Sequence, residues 1–294
     1  MGTLHIVATP IGNLEDVTLR ALRVLREADQ VLAEDTRRTR VLLDHFGIPQ
    51  RPISLHAHNE AARTTQVIRS LEEGLDVALV SDAGTPLVSD PGERLVAAVV
   101  EAGHRVEAVP GASALLASLA VSGLSTERVL FIGFLPRKAG LRRRWIEAQR
   151  GRPETLVLFE SPRRVAATLT EIADVLGERR AVLARELTKR HEEVLRDRVS
   201  GLARRLELAP PRGECTLVIE GAIESEVESM QAWTPTEIDA EIEAALTAGG
   251  SVKDIASSLA ARTGHARRAI YARAVALREA SRSDSSAEEK EARS

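Results

Sequence analysis

One loop constrains the fold of this chain more than any other stretch. It covers residues 80–92 and reads Val-Ser-Asp-Ala-Gly-Thr-Pro-Leu-Val-Ser-Asp-Pro-Gly. It follows the apolar run of residues 77–80, which predicts a buried strand. Its glycines and prolines turn the backbone sharply and stiffen it. A rigid polar loop at the carboxyl end of a buried strand is where open α/β sheets bind ligands. The alternative is a loop that only caps the strand.

Strand and helix patterns alternate through residue 122, which predicts an N-terminal α/β domain with a mostly parallel sheet. Its strands are expected at residues 4–8, 30–33, 52–55, 77–80 and 106–109. From residue 123 to 222 the strand candidates look more like hairpins, which predicts a second α/β domain with a mixed sheet. Residues 223–232 are acidic and lack periodicity, as a linker does. Residues 233–280 predict a helical, helix-turn-helix-like module, and 281–294 a disordered tail.

Composition narrows the class of protein. The 294 residues carry a net charge of −3, so any contact with nucleic acid must come from local basic patches. Cys215 is the only cysteine, which excludes an internal disulfide and a thiolate zinc cluster and fits a reducing cytoplasm. No stretch approaches the ~20 apolar residues that a membrane span needs. We therefore expect a cytoplasmic protein without a membrane segment.

Several common catalytic motifs are absent, namely the P-loop, the dinucleotide glycine turn, G-x-S-x-G and H-E-x-x-H. His56 and His58 could share a metal, but no third ligand follows at a recognisable spacing, so we interpret them as solvated loop histidines and expect no metal. What remains is a set of polar turns, each after a predicted strand. In both domains these turns would meet at one edge of a sheet and enclose a cleft, which indicates an enzyme with a ligand between its domains.

Eight short motifs in order carry a family resemblance, at residues 7–14, 34–37, 58–60, 81–92, 131–136, 160–163, 185–189 and 213–214. With them, residues 4–220 resemble the tetrapyrrole methylase superfamily. Within it, they are similar to the enzymes that methylate the 2′-oxygen of a cytidine ribose in 16S ribosomal RNA. The resemblance implies a two-domain fold that holds S-adenosylmethionine in the inter-domain cleft. It also implies a homodimer, and small-subunit ribosomal RNA or the 30S subunit as partner.

The resemblance also implies which residues bind the cofactor. Thr85 stands where the wider superfamily has an acid, and Asp82 could compensate for it. The residues that match the family's cofactor contacts are Pro10, Asp82, Ala83, Gly84, Thr85, Pro86, Ser113, Ala114, Leu135, Leu187, Gly213 and Thr216.

For methyl transfer to a ribose hydroxyl, the oxygen must first be aligned with the C–S bond of the cofactor. Little more is needed, because the sulfonium methyl is already activated. A base, or a cation that stabilises the developing alkoxide, would help further. The candidates are Glu34, Asp35 and Lys189, with Glu60 as a further carboxylate. For residues 34–37, a capped helix N-terminus with early carboxylates explains the same residues without any catalytic role.

RNA contacts are expected mainly from basic residues. They include Arg163, the basic run at residues 137–144 and the C-terminal helices. Arg163 replaces the histidine-like residue that usually follows Ser-Pro in these enzymes. For the run near residue 140 the alternative is a solvated face, and for the C-terminal helices an accessory dimerisation bundle. The predicted RNA-binding residues are Arg37, Asn59, Arg137, Lys138, Arg142, Arg143, Arg163, Arg267 and Arg268.

Two rival functions stay open. A methylase of a small tetrapyrrole would share the fold, but it would not need a basic C-terminal module. A non-catalytic RNA-binding assembly factor would not need to keep the cofactor loops.

Overall fold

The computed structural model describes residues 1–222, 234–263 and 265–291. The chain forms two compact units. The first contains Met1–Leu135, Leu156–Thr170 and Arg180–Ile219, and the second contains Pro136–Thr155, Glu171–Arg179 and Glu220–Ser294. The domain boundary expected at residues 122 and 123 falls inside the first unit, so the two α/β domains stay a prediction.

The first unit begins with a five-stranded sheet in the order β3-β2-β4-β1-β5. Its strands are β1 (Thr3–Val7), β2 (Gln30–Ala33), β3 (Ile53–Ser54), β4 (Val77–Val80) and β5 (Arg105–Val109). All four pairings between neighbours are parallel. The parallel sheet predicted from the alternating pattern is thus confirmed.

Helices cover both faces of this sheet. They are α1 (Leu19–Glu27), α2 (Thr36–His45), α3 (Glu60–Glu72), α4 (Glu93–Glu101) and α5 (Ala114–Ser122). In β4, Ala78 and Val80 pack in one core cluster with residues of α1 and α2. Val77 and Leu79 pack in the other, with residues of α3 and α4. This two-residue alternation between two buried faces is why the strand is apolar throughout.

A second sheet follows in the order β6-β7-β10-β8-β9. Its strands are β6 (Val129–Phe134), β7 (Thr155–Glu160), β8 (Arg180–Arg185), β9 (Glu193–Arg198) and β10 (Cys215–Ile219). The helices of this half are α6 (Ala139–Glu147), α7 (Val165–Leu176) and α8 (Val199–Leu208). β10 pairs antiparallel with β7 and with β8, and β8 pairs antiparallel with β9. Neither β9 nor α6 was predicted from the sequence.

Three helices complete the described chain: α9 (Pro235–Thr247), α10 (Val252–Thr263) and α11 (Arg267–Glu291). A capping box between Thr234 and Glu237, with proline at the first helical position, starts α9. The three helices share an aliphatic core that includes Ile242 and Ile255. No helix among the described residues is long and apolar enough to cross a membrane.

The tail prediction needs a correction, because α11 continues to Glu291. Residues 281–291 are polar, but they extend an existing helix, and propagation of a helix costs far less than its nucleation. Residues 292–294, and the linker predicted at residues 223–232, lie outside the described residues.

Candidate functional site

The parallel strands bring their polar turns to one edge of the first sheet. The loop of residues 81–92, here the central loop, follows β4 and is joined to the turns after β1 and β5. Thr9 N donates to Gly84 O at 2.9 Å, and Gly84 N donates to Thr9 O at 3.0 Å. Thr85 Oγ1 donates to Ala112 O at 3.4 Å. Three turns distant in sequence are thus joined into one rim.

The backbone of the central loop is strained. Leu87 and Ser89 have φ angles of 75° and 71°, in the left-handed region. Such residues cost about 1–3 kcal/mol each and cluster at ligand sites. Gly84 has a φ of 79°, and a Cβ at that position would lie 3.2 Å from Ile11 Cγ2. A glycine is therefore required there both by its conformation and by the close approach of its neighbour.

A cavity of about 290 Å³ opens beside the central loop. Its walls are the central loop, the turn into α5, and the ends of β6, β7 and β10 in the second sheet. Eight of the twelve predicted cofactor residues line it: Asp82, Ala83, Gly84, Thr85, Ser113, Ala114, Gly213 and Thr216. The structure thus brings together residues from separate segments that the resemblance had assigned to one ligand.

The other four predicted cofactor residues do not line the cavity. Pro10 lies between Thr9 and the lining residue Ile11, and Pro86 is buried within the central loop. Leu135 is only 3% exposed, and its carbonyl accepts a hydrogen bond from Arg164 Nη2 at 3.0 Å. Leu187 packs in a core cluster with Ile11. Of the four, Leu187 is the one that packs against residues of the lining, namely Ile11 and Ala114.

Several lining residues were missed by the sequence analysis. Phe134 and Phe159 lie in strands and not in turns, and their ring centroids are 5.7 Å apart. With so few aromatics in the chain, two phenylalanines at the ends of neighbouring strands were the available signal. The remaining lining residues that were not predicted are Ile11, Arg38, Val88, Ser89, Asp90, Glu160, Pro162, Glu214 and Cys215.

Three carboxylates that interact electrostatically lie at this site. Burial raises the pKa of Asp90, and neighbouring Asp82 raises it further. Burial also raises the pKa of Glu34, with Asp90 and Asp82 adding to the effect. Asp82 is held in place by the backbone N–H of Asp35 at 2.9 Å and by Arg38 Nη1 at 3.5 Å. The site therefore contains carboxyl groups that take up a proton more readily than exposed ones do.

Asp35 has a different environment. Its side chain caps α2 by accepting from Arg37 N at 2.9 Å, and it also accepts from Arg37 Nε and Nη2 at 3.0 and 2.7 Å. The hydrogen bonds from Arg37 lower the pKa of Asp35 to about 2. It does not line the cavity. The capped helix N-terminus that the sequence analysis kept as an alternative thus describes Asp35 and explains Arg37.

Lys189 also lies outside the cavity lining. Its Nζ donates to Glu186 Oε1 at 2.9 Å and to Glu214 Oε2 at 3.0 Å. Burial favours the neutral amine, but these two hydrogen bonds outweigh it and raise the pKa of Lys189. The lysine is thus held charged between carboxylates, as expected. It reaches the cavity only through Glu214, which lines it.

Comparison with known families agrees with this arrangement. The family described as Tetrapyrrole (Corrin/Porphyrin) Methylases matches residues 3–203. The chain belongs to the tetrapyrrole methylase family. The methyl donor of this family is S-adenosylmethionine, as predicted from the sequence.

Curated relatives are similar over most of their length. "Ribosomal RNA small subunit methyltransferase I" of Micromonospora olivasterospora is 49% identical over 232 residues, 79% of this chain and 74% of that protein. The protein of the same name from Mesorhizobium japonicum is 45% identical over 280 residues, 95% and 93% of the two chains. That of Thermotoga maritima is 46% identical over 221 residues, 75% of this chain and 99% of its own.

Solved structures support the fold of this tetrapyrrole methylase. A uroporphyrin-III-C-methyltransferase from Thermus thermophilus superposes with a TM-score of 0.52 at 24% identity, over 75% of this chain and 94% of that one. A diphthine synthase superposes with a TM-score of 0.56 at 19% identity, over 75% and 90%. The predicted fold class is thus confirmed.

Two predicted RNA-binding residues of this methylase form hydrogen bonds within the protein. Asn59 closes its own loop, since its Oδ1 accepts from His56 N at 2.8 Å and its Nδ2 donates to Ser54 O at 3.1 Å. Arg142 is only 15% exposed and donates to Glu171 at 2.5 Å. Both side chains thus have partners within the protein, and a contact of either residue with RNA stays a prediction.

The other predicted RNA-binding residues are more accessible. Arg37 is 89% exposed although paired with Asp35, and Arg143 forms an exposed i,i+4 pair with Glu147 at 3.3 Å. The remaining exposed residues of this set are Arg137, Lys138, Arg163, Arg267 and Arg268.

Neither Glu60 nor the two loop histidines line the cavity. Glu60 is 7% exposed, and its Oε1 accepts from the backbone N–H groups of Arg94 and Leu95 at 3.1 and 3.3 Å. It thus caps α4 from the preceding helix. The rings of His56 and His58 lie 5.9 Å apart. Within the described residues, no group of three or more His, Cys, Asp or Glu is arranged to hold a metal.

Proposed function

We propose that this protein transfers a methyl group from S-adenosylmethionine to the 2′-oxygen of a cytidine ribose in 16S ribosomal RNA. The observation that carries the proposal is the cavity that joins the central loop to the second sheet, in a chain 45–49% identical to proteins named ribosomal RNA small subunit methyltransferase I. The family alone supports a methylase, and the names of these relatives favour ribosomal RNA over a tetrapyrrole as substrate.

The cavity residues fit the chemistry of the cofactor. The sulfonium and ammonium groups of S-adenosylmethionine are cations, and Asp82 and Asp90 supply negative charge at the wall. Phe134 and Phe159 offer flat apolar faces for the adenine ring. Gly84 lets the backbone approach closely, because a Cβ there would crowd Ile11. We assign the cofactor to this cavity with Asp82, Gly84, Thr85 and Ser113 among its contacts.

When bound, S-adenosylmethionine supplies a methyl group that is already activated on sulfur. The protein then has to hold the ribose 2′-oxygen in line with the C–S bond and keep water out. A C–O bond forms as the C–S bond breaks, and the hydroxyl proton leaves to a base or to solvent. The rigid rim around Thr9 and Gly84 is suited to alignment, because its geometry is set by backbone hydrogen bonds.

Asp90 and Glu34 are better placed than Asp35 to accept that proton. Asp90 lines the cavity, and its pKa is raised by burial. Glu34 shares this environment. Asp35 is a weak base, because its pKa is lowered to about 2 by hydrogen bonds from Arg37. We therefore propose Asp90, with Glu34 beside it, as the carboxylate pair that receives the proton.

Lys189 is proposed to position Glu214 in place of contacting the alkoxide. Its two hydrogen bonds hold Glu186 and Glu214 together, and Glu214 N also donates to Glu186 Oε1 at 3.0 Å. Glu214 is the member of this group that lines the cavity.

The basic surface on α11 is proposed to bind RNA. Arg267, Arg268 and Arg278 are exposed, as is Tyr271, and at helical spacing they form one stripe beside the buried Ile270 and Ala274. Arginine contacts phosphates, and an exposed aromatic ring can stack on an unpaired base. The matched length of the Thermotoga relative leaves no counterpart for these helices. The module is therefore proposed to aid RNA binding and to be dispensable for chemistry.

A homodimer stays a prediction. Exposed apolar side chains on α5 and β6, such as Leu116 and Val129, supply a surface that a second copy could cover.

Methyl transfer from radiolabelled S-adenosylmethionine tests the function. Small ribosomal subunits, naked 16S ribosomal RNA and a uroporphyrinogen are offered in parallel, and labelled RNA is digested and analysed by mass spectrometry. We expect 2′-O-methylcytidine as the sole labelled nucleoside. Label on the porphyrinogen would favour the tetrapyrrole rival, and no label on any substrate with intact RNA binding would favour the assembly factor.

A further inference from the structure

A second cavity, of about 490 Å³, lies in the first unit and adjoins the cofactor cavity along the chain. It is formed by the end of β8, the start of β9, the C-terminal turn of α8 and residues 209–212. Arg212 lines it, while the next two residues, Gly213 and Glu214, line the cofactor cavity. A single chain segment thus contributes to both sites.

The lining of the second cavity has an excess of cationic groups. Three arginines, Arg185, Arg205 and Arg212, face two carboxylates, Glu186 and Glu193, and His191 also lines the cavity. Glu186 already accepts a hydrogen bond from Lys189 Nζ at 2.9 Å and one from Glu214 N at 3.0 Å, and these lower its pKa. Lys189 thus offsets part of the charge of Glu186, and the three guanidinium groups of the lining outnumber its two carboxylates.

Glu193 holds two of the arginines in place. Arg185 Nε donates to Glu193 Oε2 at 2.7 Å, and Arg205 Nη2 lies 3.7 Å from Glu193 Oε1. Arg185 also donates from Nη1 to Arg212 O at 3.3 Å. A guanidinium has five N–H donors, and these contacts use only one or two of them. Arg185 is therefore held in place by two hydrogen bonds, and both guanidinium groups keep donors for an anion.

We propose that this second cavity binds a backbone phosphate of the RNA strand whose ribose enters the cofactor cavity. This inference rests on the proposed function. Guanidinium groups match the geometry of phosphate oxygens and bind them bidentately. Contacts to phosphates fix the register of an RNA strand without reading its sequence. A phosphate held beside Arg212 would be close along the chain to Gly213 and Glu214, and so would position the neighbouring nucleotide.

The test uses the full-length protein and a labelled single-stranded oligoribonucleotide, with small ribosomal subunits as a second ligand. The double variant Arg205→Ser/Arg212→Ser is compared with wild type and with the control Arg51→Ser. Arg51 is also exposed. It precedes β3 and so lies where the strands of the first sheet begin, at the edge opposite the polar turns. Dissociation constants are measured over a range of salt concentrations, and S-adenosylmethionine binding is measured by calorimetry in each protein.

We expect the double variant to bind RNA roughly tenfold more weakly, as the removal of one charge-assisted hydrogen bond predicts. The slope of log K against log salt should fall by about 0.7 for each phosphate whose partner is removed. Cofactor affinity should be unchanged, which shows that the variant folds. The conservative variant Arg212→Lys should keep the wild-type slope, because it keeps the charge.

An unchanged slope in the double variant, with methylation of RNA intact in wild type, overturns this inference and leaves the proposed function standing. Titration with inorganic phosphate separates a strand phosphate from a free anion. If inorganic phosphate binds wild type and not the double variant, while both proteins bind RNA equally, the cavity serves a small anion and the RNA assignment is wrong.

Discussion

Thr9 and Gly84 are joined by two backbone hydrogen bonds, one donated by each residue, at 2.9 and 3.0 Å. This bridge joins the turn after β1 to the central loop, although the two lie far apart in sequence. Because the bonds are between main-chain atoms, side chains nearby can vary while the rim keeps its shape. What cannot vary is the backbone conformation of Gly84, whose φ of 79° is disfavoured for other residues.

Gly84→Val should therefore abolish cofactor binding in a folded protein. Valine at this φ strains the backbone, and its side chain would meet Ile11, whose Cγ2 lies 3.2 Å from the point that a Cβ would occupy. The matched control is Gly103→Val, since Gly103 has a φ of 77° with no atom within 4 Å of such a Cβ. Both variants should lose about 1–3 kcal/mol of stability. Only Gly84→Val should lose S-adenosylmethionine affinity in calorimetry, and equal affinities would contradict our assignment of the cavity.

Cys215 offers a reporter for the same cavity. Burial raises the pKa of its thiol to about 11. Near neutral pH the reactive thiolate is then roughly a hundred times scarcer than for an ordinary thiol, so iodoacetamide should label the folded protein slowly. The labelling rate should rise with pH up to the thiol pKa, and saturating S-adenosylhomocysteine should slow it further because Cys215 lines the cavity.

The chain has no other cysteine, so every label reports this position. Urea-unfolded protein is the control and should label at the rate of a free thiol. Rapid labelling of the native protein, or no protection by S-adenosylhomocysteine, would show that Cys215 is not where the cavity assignment needs it.

The elements that the sequence predicted well are those whose burial leaves a simple pattern. β2 lies at the predicted residues 30–33, and β4 at residues 77–80, because both are buried strands in a parallel sheet. β9 was not predicted, because its sequence Glu-Val-Leu-Arg-Asp-Arg is mostly charged and Leu195 is its single buried residue. As an edge strand of its sheet it needs charged residues, and these hide the alternation.

The site was predictable at its glycine-rich loop and less so elsewhere. Turn residues such as Gly84 and Ser113 are recognisable by composition, whereas Phe134 and Phe159 look like ordinary strand residues. Asp35 shows the opposite difficulty. A helix N-cap and a catalytic carboxylate select the same residue type, so only the observed bonds to Arg37 separate the two.

Removal of all residues after 229 should separate RNA binding from chemistry. The deleted segment contains α9, α10 and α11 with the basic stripe. We expect unchanged S-adenosylmethionine affinity, weaker binding to small ribosomal subunits and a smaller salt slope. The double variant Arg267→Ser/Arg268→Ser in the full chain should reproduce part of that loss. If subunit binding and its salt dependence survive truncation, the helices serve another purpose, such as dimerisation.

Lys189→Met should slow methyl transfer, because the variant would release Glu214 from its partner. Without the ammonium, Glu186 and Glu214 lose their shared partner, and the pKa of Glu186 should rise towards its ordinary value. Glu214 would no longer be held at the cavity wall. We expect single-turnover rates to fall by about tenfold to a hundredfold, with cofactor affinity changed little. Lys189→Arg should restore most of the rate, because it keeps the charge. A normal rate for Lys189→Met would show that this network is only structural.

The pH dependence of methyl transfer should identify the proton acceptor. A base works only when ionised, so a group whose pKa is raised loses activity at a higher pH than an ordinary carboxylate does. If Asp90 accepts the proton, the single-turnover rate should fall as the pH drops through its raised pKa. If Asp35 did so, the rate would stay flat far into acid, because its pKa is about 2. We therefore expect the acid limb of the wild-type profile at a higher pH than the ordinary pKa of aspartate.

Asp90→Asn should remove that limb and lower the rate by about a hundredfold or more, the usual size of a general-base contribution. Glu34→Gln should leave the limb in place, because the pKa of Asp90 is raised by burial and by Asp82 and not by Glu34. Asp35→Asn is the matched control, since asparagine also caps helices and the limb should persist. S-adenosylmethionine affinity is measured for each variant, so that a rate change is not confused with lost binding. Near-normal rates and identical profiles in all three variants would mean that the proton leaves to solvent and that alignment by the rigid rim suffices.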